Sequence, residues 1–102
     1  MDGMSPEKEK ILGLLGLARR AGKLAMGFNA VERLVKRGAR PLVIVATDIG
    51  PSQRNKVFAW EPVRGLMSDV LTGEEMARTL GREKLVVLGL SDPGFIKGIQ
   101  SD

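Results

Sequence analysis

The chain has 102 residues, 43% of them hydrophobic, and carries 16 Lys and Arg against 12 Asp and Glu with no cysteine, histidine or tyrosine. That length supports one core, hence a single domain over 1–102. The missing residue types exclude disulfides, thiol nucleophiles, imidazole proton shuttles and soft metal sites, so no catalysis, cofactor or metal centre is expected.

The net charge of +4 hides an asymmetry. Between Lys8 and Arg40 nine basic residues meet two acidic ones, a local charge of +7, while the rest of the chain carries −3. Such a directional footprint points to a polyanion, and nucleic acid is its commonest source. A membrane surface fits less well, because the basic segment keeps no aromatic residue beside its charges and its apolar face is needed for a core. No apolar run approaches the roughly 18 residues of a membrane span, and the polar start Met1-Asp2-Gly3-Met4-Ser5-Pro6 shows no secretory signal. A cytoplasmic protein is expected.

The first helix is announced by Ser5 as cap, Pro6 at its first position and Glu7 at its positive end. Ile11, Leu14, Leu15 and Ala18 recur at helical spacing, Arg19 and Arg20 suit the last turn, and Gly22 ends it. Gly13 and Gly16 weaken this helix, so they are expected to serve close packing. Leu24 to Met26 forms a short strand that Gly27 turns into a second helix. There, at ~100° per residue, Asn29, Arg33 and Lys36 share one side, while Phe28, Val31, Leu34 and Val35 share the other. One face packs and the other is cationic. Gly27 lets a ligand approach the backbone at the helix entrance, where unpaired N–H groups favour a phosphate or a base acceptor. A solvated helix face would give the same stripe, and the residues alone leave both readings open.

Arg37-Gly38-Ala39-Arg40 ends the second helix. The run Pro41 to Thr47 reads as a strand buried on both faces, which predicts parallel neighbours. Ser52 to Trp60 is a short polar helix broken by Glu61-Pro62. Val63 to Met67 is the third strand, Gly73 to Leu80 the fourth helix with Gly81 at its end, and Lys84 to Leu90 the fourth strand. Ser91-Asp92-Pro93 starts a last helix through Ile99. Alternation at these intervals predicts right-handed crossovers and helices on both sides of a sheet.

The glycines do not make a phosphate loop. Gly16 and Gly22-Lys23 are separated by five residues where that loop needs four, and Leu24 replaces its Ser/Thr. Gly13-x-x-Gly16 lies inside a helix, so it is no dinucleotide fingerprint. Asp48, Asp69 and Asp92 each follow a strand, where capping a helix or closing a turn outweighs magnesium binding.

Gly22-Lys23-Leu24-Ala25-Met26-Gly27-Phe28-Asn29, then Arg37 to Pro51 with its Ala46-x-Asp48-Ile49-x-Pro51, and Asp92-Pro93-Gly94-Phe95-Ile96-Lys97 resemble the kink-turn-binding ribosomal protein superfamily, in its small bacterial YlxQ-like branch. The resemblance covers nearly the whole chain. It implies an α/β fold, a three-layer α/β/α sandwich around a four-stranded mixed sheet. It also implies a monomer that binds structured RNA, kink-turn-like or ribosomal, free or within the ribosome, with no DNA or membrane partner and no enzymatic activity. A protein-binding adaptor on the same fold is the alternative, since the superfamily contains members that work through protein partners.

In that superfamily a Gly-x-Asn-Glu-x-x-Lys pattern at the second helix reads sheared G·A pairs. The matching positions are Gly27, Asn29, Ala30 and Arg33, with Phe28 between the first two. Arg33 offers a bidentate option toward guanine where the pattern has lysine. Ala30 departs from the pattern: without its carboxylate a guanine edge loses an acceptor, so RNA binding is the broader implication and kink-turn selectivity the narrower one. Phosphates are expected at Lys23, Arg33, Lys36, Arg37 and Arg40. The second contact implied by the resemblance is the loop after the third strand, Ser68, Asp69, Val70, Leu71 and Thr72. Val70 and Leu71 are equally suited to the core.

Overall fold

Ser5 Oγ accepts a hydrogen bond from the Lys8 N–H at 3.1 Å and Pro6 takes the next position, so α1 (Pro6–Arg20) begins at its expected cap. The computed structural model describes residues 5–100. The first four residues of the polar start read above lie outside the described residues. The chain continues through β1 (Leu24–Met26), α2 (Phe28–Lys36), β2 (Leu42–Val45), α3 (Pro51–Phe58), β3 (Gly65–Met67), α4 (Gly73–Leu80), β4 (Val87–Leu90) and α5 (Pro93–Gln100).

Every residue of β2 and β4 is buried, and the alternation along each strand feeds two layers. Leu42, Ile44, Leu88 and Leu90 face α1, α4 and α5 through Ile11, Leu15, Met76, Leu80 and Ile96. Val43, Val45 and Val87 face the other way, against Val31 of α2 and Val57 of α3. The result is the expected three-layer α/β/α sandwich. On the α2 side, a Cβ at Gly89 would lie 3.1 Å from a methyl of Val31, so that glycine lets the helix settle close to the sheet. Gly13 and Gly16 do not have this role. A Cβ at either would meet nothing within 4 Å, so the close packing expected of them is absent.

The strand order is β1-β4-β2-β3, with β2 parallel to β3 but antiparallel to β4. The expectation of parallel neighbours on both sides of β2 is therefore corrected on the β4 side. The cause is the short α4. Its capping box pairs Thr72 with Glu75, and Gly81, at φ 70°, stops it. The chain then folds back along the helix, and the Leu85 carbonyl oxygen comes within 3.0 Å of where a Cβ of Gly73 would stand. β4 thus enters the sheet from the end at which β3 left it. Lys8 Nζ reaches Glu75 Oε2 at 3.0 Å and ties α1 to α4. The Thr72 N–H donated to Glu75, helped by Lys8, holds that carboxyl below the usual carboxylate range.

Candidate nucleic-acid interface

Because β1, β2 and β3 run in one direction and β4 against them, the sheet has two distinct ends. The carboxyl end gathers the exits of the three co-directional strands and the entry of β4. Open α/β sheets place ligands at such an end.

At this end β1 passes into α2 through Gly27, with φ 98° and ψ 160°, a conformation open essentially to glycine alone. The Gly27 N–H donates to the Val87 carbonyl oxygen at 2.9 Å, and no side chain caps the helix. The Phe28 ring turns inward onto Trp60, with ring centroids 5.1 Å apart. Val31, Leu34 and Val35 are buried, while Asn29, Arg33 and Lys36 are exposed along the opposite stripe. The amphipathic split read from the sequence is present, with Ala30 half-buried at its margin. Lys36 Nζ lies 3.9 Å from Glu32 Oε2, a loose pair whose lysine is 74% exposed. Screening leaves that charge available to a ligand.

Facing Gly27 across a concavity of about 300 Å³ are Gln53 of α3 and the segment Lys84-Leu85-Val86 ahead of β4. A larger cleft of about 610 Å³ shares those residues and extends to Arg82 and the start of α4. Leu85 is buried and anchors the segment, leaving Arg82 and Lys84 exposed on its rim. Sequence reasoning missed this wall. The sequence pattern places Lys84 in the fourth strand, whereas β4 begins at Val87. The signal was available in Gly81, the helix stop immediately before the charged run Arg82-Glu83-Lys84 and the apolar Leu85-Val86.

The loop after β3 occupies the same end of the sheet but stands three strand spacings from β1, with β4 and β2 between. Neighbouring strands lie ~4.8 Å apart, which places it ~14 Å away across the sheet. Leu71 is 1% exposed and belongs to the main core; Val70 packs against that core. The Leu71 carbonyl oxygen receives the Thr47 N–H at 2.8 Å. Thr72 is the cap of α4, so only Ser68 and Asp69 retain side chains free of core or cap duties. Asp48 Oδ1 accepts the Gly73 N–H at 2.8 Å and Asp92 Oδ1 accepts the Phe95 N–H at 3.1 Å, so both serve helix starts as expected.

The remaining cations are elsewhere. Lys23 precedes β1, Arg37 follows α2 and Arg40 lies two residues ahead of β2, so all three belong to the amino end of the sheet. The nine residues of α2 separate Arg37 and Arg40 from Gly27, a helix length of ~13 Å, and β1 separates Lys23 from it. The nine candidates before β2 therefore fall into two groups, joined by the stripe of Arg33 and Lys36.

Comparison with known proteins gives a consistent result. The sequence profile of the ribosomal protein L7Ae/L30e/S12e/Gadd45 family matches residues 9–94. The RNA-binding protein YlxQ of Bacillus subtilis (strain 168) is 30% identical over 87 residues, covering 80% of this chain and 83% of that protein. A solved structure of a protein with unknown function from Bacillus halodurans C matches with a TM-score of 0.76 and 31% identity, over 88% of this chain and 92% of that one.

Proposed function

We propose, from the premise that this chain belongs to the ribosomal protein L7Ae/L30e/S12e/Gadd45 family, that it is a non-catalytic RNA-binding protein of the ribosomal type. The carrying observation is the exposed stripe of Asn29, Arg33 and Lys36, which starts at an uncapped helix entrance whose Gly27 also lines a concavity walled by Lys84. A structured RNA, kink-turn-like or ribosomal, enters with a groove edge against Gly27 and Asn29. Glycine permits the close approach, Asn29 and Arg33 offer hydrogen bonds to base edges, and Arg33 and Lys36 hold phosphates. Arg82 and Lys84 neutralise the strand on the other side of the concavity. The similarity to a protein named for RNA binding supports this reading. A cytoplasmic monomer accompanies it. Among the described residues no helix is long and apolar enough to cross a membrane.

Titration of a kink-turn RNA and a plain duplex across a salt series tests the proposal. RNA binding through phosphates weakens steeply with ionic strength, whereas binding of a protein partner through an apolar surface does not. Negligible binding of both RNAs at low salt would remove the RNA reading. Equal binding of both would keep RNA as the ligand and remove kink-turn selectivity.

A further inference from the structure

The amino end of the sheet carries its own row of cations. Lys23 comes before β1, Arg40 stands two residues ahead of β2, Arg64 comes before β3, and Arg37 follows α2. All four are exposed, and among the described residues none has a carboxylate partner. The row has a seat in it. Leu24 pairs with Leu90 in the antiparallel register, which sets Lys23 beside Ser91, and the end of α2 places Arg37 on the same cavity. The three line a cavity of about 230 Å³ floored by Leu34. The nearby carboxylate, Asp92, is turned to the Phe95 N–H.

We infer that the cavity between Lys23, Arg37 and Ser91 is a second anion site, which holds a backbone phosphodiester of RNA at the end of the sheet opposite the base-reading entrance. Two cations from different elements share this cavity with one hydroxyl, so a tetrahedral oxyanion seated in it can take charge from two side chains and a hydrogen bond from a third. The cavity is small, which suits a phosphate contact that positions without reading sequence. Arg40 and Arg64, on neighbouring strands that start ~5 Å apart, continue the track away from the seat. With one contact at Gly27 and another ~13 Å along α2, the bound RNA has a fixed direction on the protein. The assignment of the anion to RNA rests on the proposed function; the anion site itself does not.

The test has two arms. In the first, inorganic phosphate is titrated into the isolated protein and the backbone amide resonances are followed. Saturable shifts at Lys23 and Ser91 that vanish in the Lys23→Ala/Arg37→Ala double variant are expected, with its melting temperature unchanged. In the second, wild type and double variant bind a kink-turn RNA and the same RNA with one stem lengthened. The double variant should lose affinity for the longer RNA alone, and its slope of log affinity against log salt should fall by about 0.9, one phosphate contact's worth. Phosphate shifts without RNA binding would retain the anion site and reject RNA as its source. RNA binding with the full salt slope in the double variant, or phosphate shifts at Asn29 alone, would overturn the second site. Binding of phosphatidylserine vesicles, abolished in the same variant, would assign the row to a membrane and overturn it equally.

Discussion

Gly27 donates its backbone N–H to the carbonyl oxygen of Val87 at 2.9 Å, and this bond locks the entrance of α2 to the first residue of β4. Whatever segment leads into Val87 must therefore stand beside Gly27, which is why Lys84 to Val86 form the opposite wall of the concavity. The same bond holds Gly27 at φ 98°. Gly27→Ala should cost about 1–3 kcal/mol, the range for a residue held in a region closed to side chains. A Cβ there would meet nothing within 4 Å, so the penalty is one of backbone conformation and not of collision. Urea unfolding would read it, and an unchanged midpoint would mean that the entrance relaxes at no cost.

Ala30 sits half-buried on the first turn of α2, where the superfamily pattern has glutamate. Ala30→Glu should place a carboxylate near the positive end of the helix, a favourable position for it. If α2 meets the RNA as proposed, preference for tandem G·A pairs over a mutated duplex should sharpen by about 1–3 kcal/mol, one good base contact. Competition binding with the two RNAs is the measurement. Retained fold with unchanged preference would show that the first turn of α2 does not face the bases.

The order of elements was legible because Ser5-Pro6, Gly27, Gly81 and Asp92-Pro93 punctuate apolar runs of distinct period. What periodicity does not encode is direction. A strand such as Leu42–Val45 is buried on both faces whichever way its neighbour runs, so the antiparallel arrival of β4 had to come from the fold-back after Gly81. The same fold-back hid Lys84 and Arg82 from the candidate site, since Leu85 and Val86 read as the start of a strand. The stripe on α2 was visible, because its moment follows from spacing alone. That Lys23 and Arg40 stand at the other end of the helix from Asn29 was not, for it depends on which end of the sheet each loop reaches.

Thr72 accepts the Glu75 N–H at 3.1 Å while Glu75 accepts the Thr72 N–H at 2.9 Å. Thr72→Ala should cost about 1 kcal/mol, the usual loss of a helix cap. The linked pH dependence has a definite sign. The Glu75 carboxyl is held below its ordinary value of 4.5, chiefly by the Thr72 N–H. Its contribution is therefore complete above that value and is lost as pH falls through the lower folded value. Unfolding free energies measured from pH 6 down to pH 3 should fall less steeply in Glu75→Gln than in wild type. Parallel curves would remove Glu75 as a source of acid sensitivity.

Within α2, base readers and phosphate holders should separate. Asn29→Ala is expected to erode discrimination between a target RNA and its mutant more than total affinity. Lys36→Ala should weaken all RNAs alike and lower the salt slope by about 0.9. Both side chains lie on the exposed stripe, and the exposed Lys36–Glu32 pair contributes only a few tenths of a kcal/mol. Melting temperatures should thus stay near wild type. A large drop in melting temperature with RNA binding intact would identify the stripe as structural.

Arg40 has φ 52°, the one positive φ outside glycine among the described residues, and it precedes Pro41. A side chain in the left-handed region costs roughly 1–2 kcal/mol, and the following proline restricts the backbone further. The strain sits in the turn between α2 and β2, where Gly38, at φ 82°, already supplies one left-handed residue. Arg40→Gly should relieve it, offset in part by the greater freedom of glycine in the unfolded chain. The expected net gain is about 1 kcal/mol at the urea midpoint. If the arginine is retained at this cost for its charge on the amino end of the sheet, the same substitution should lower the salt slope of RNA binding by about 0.9. A more stable protein with an unaltered slope would leave the strain unexplained by RNA. A less stable one would show that the Arg40 side chain contributes to the fold by more than its backbone strain subtracts.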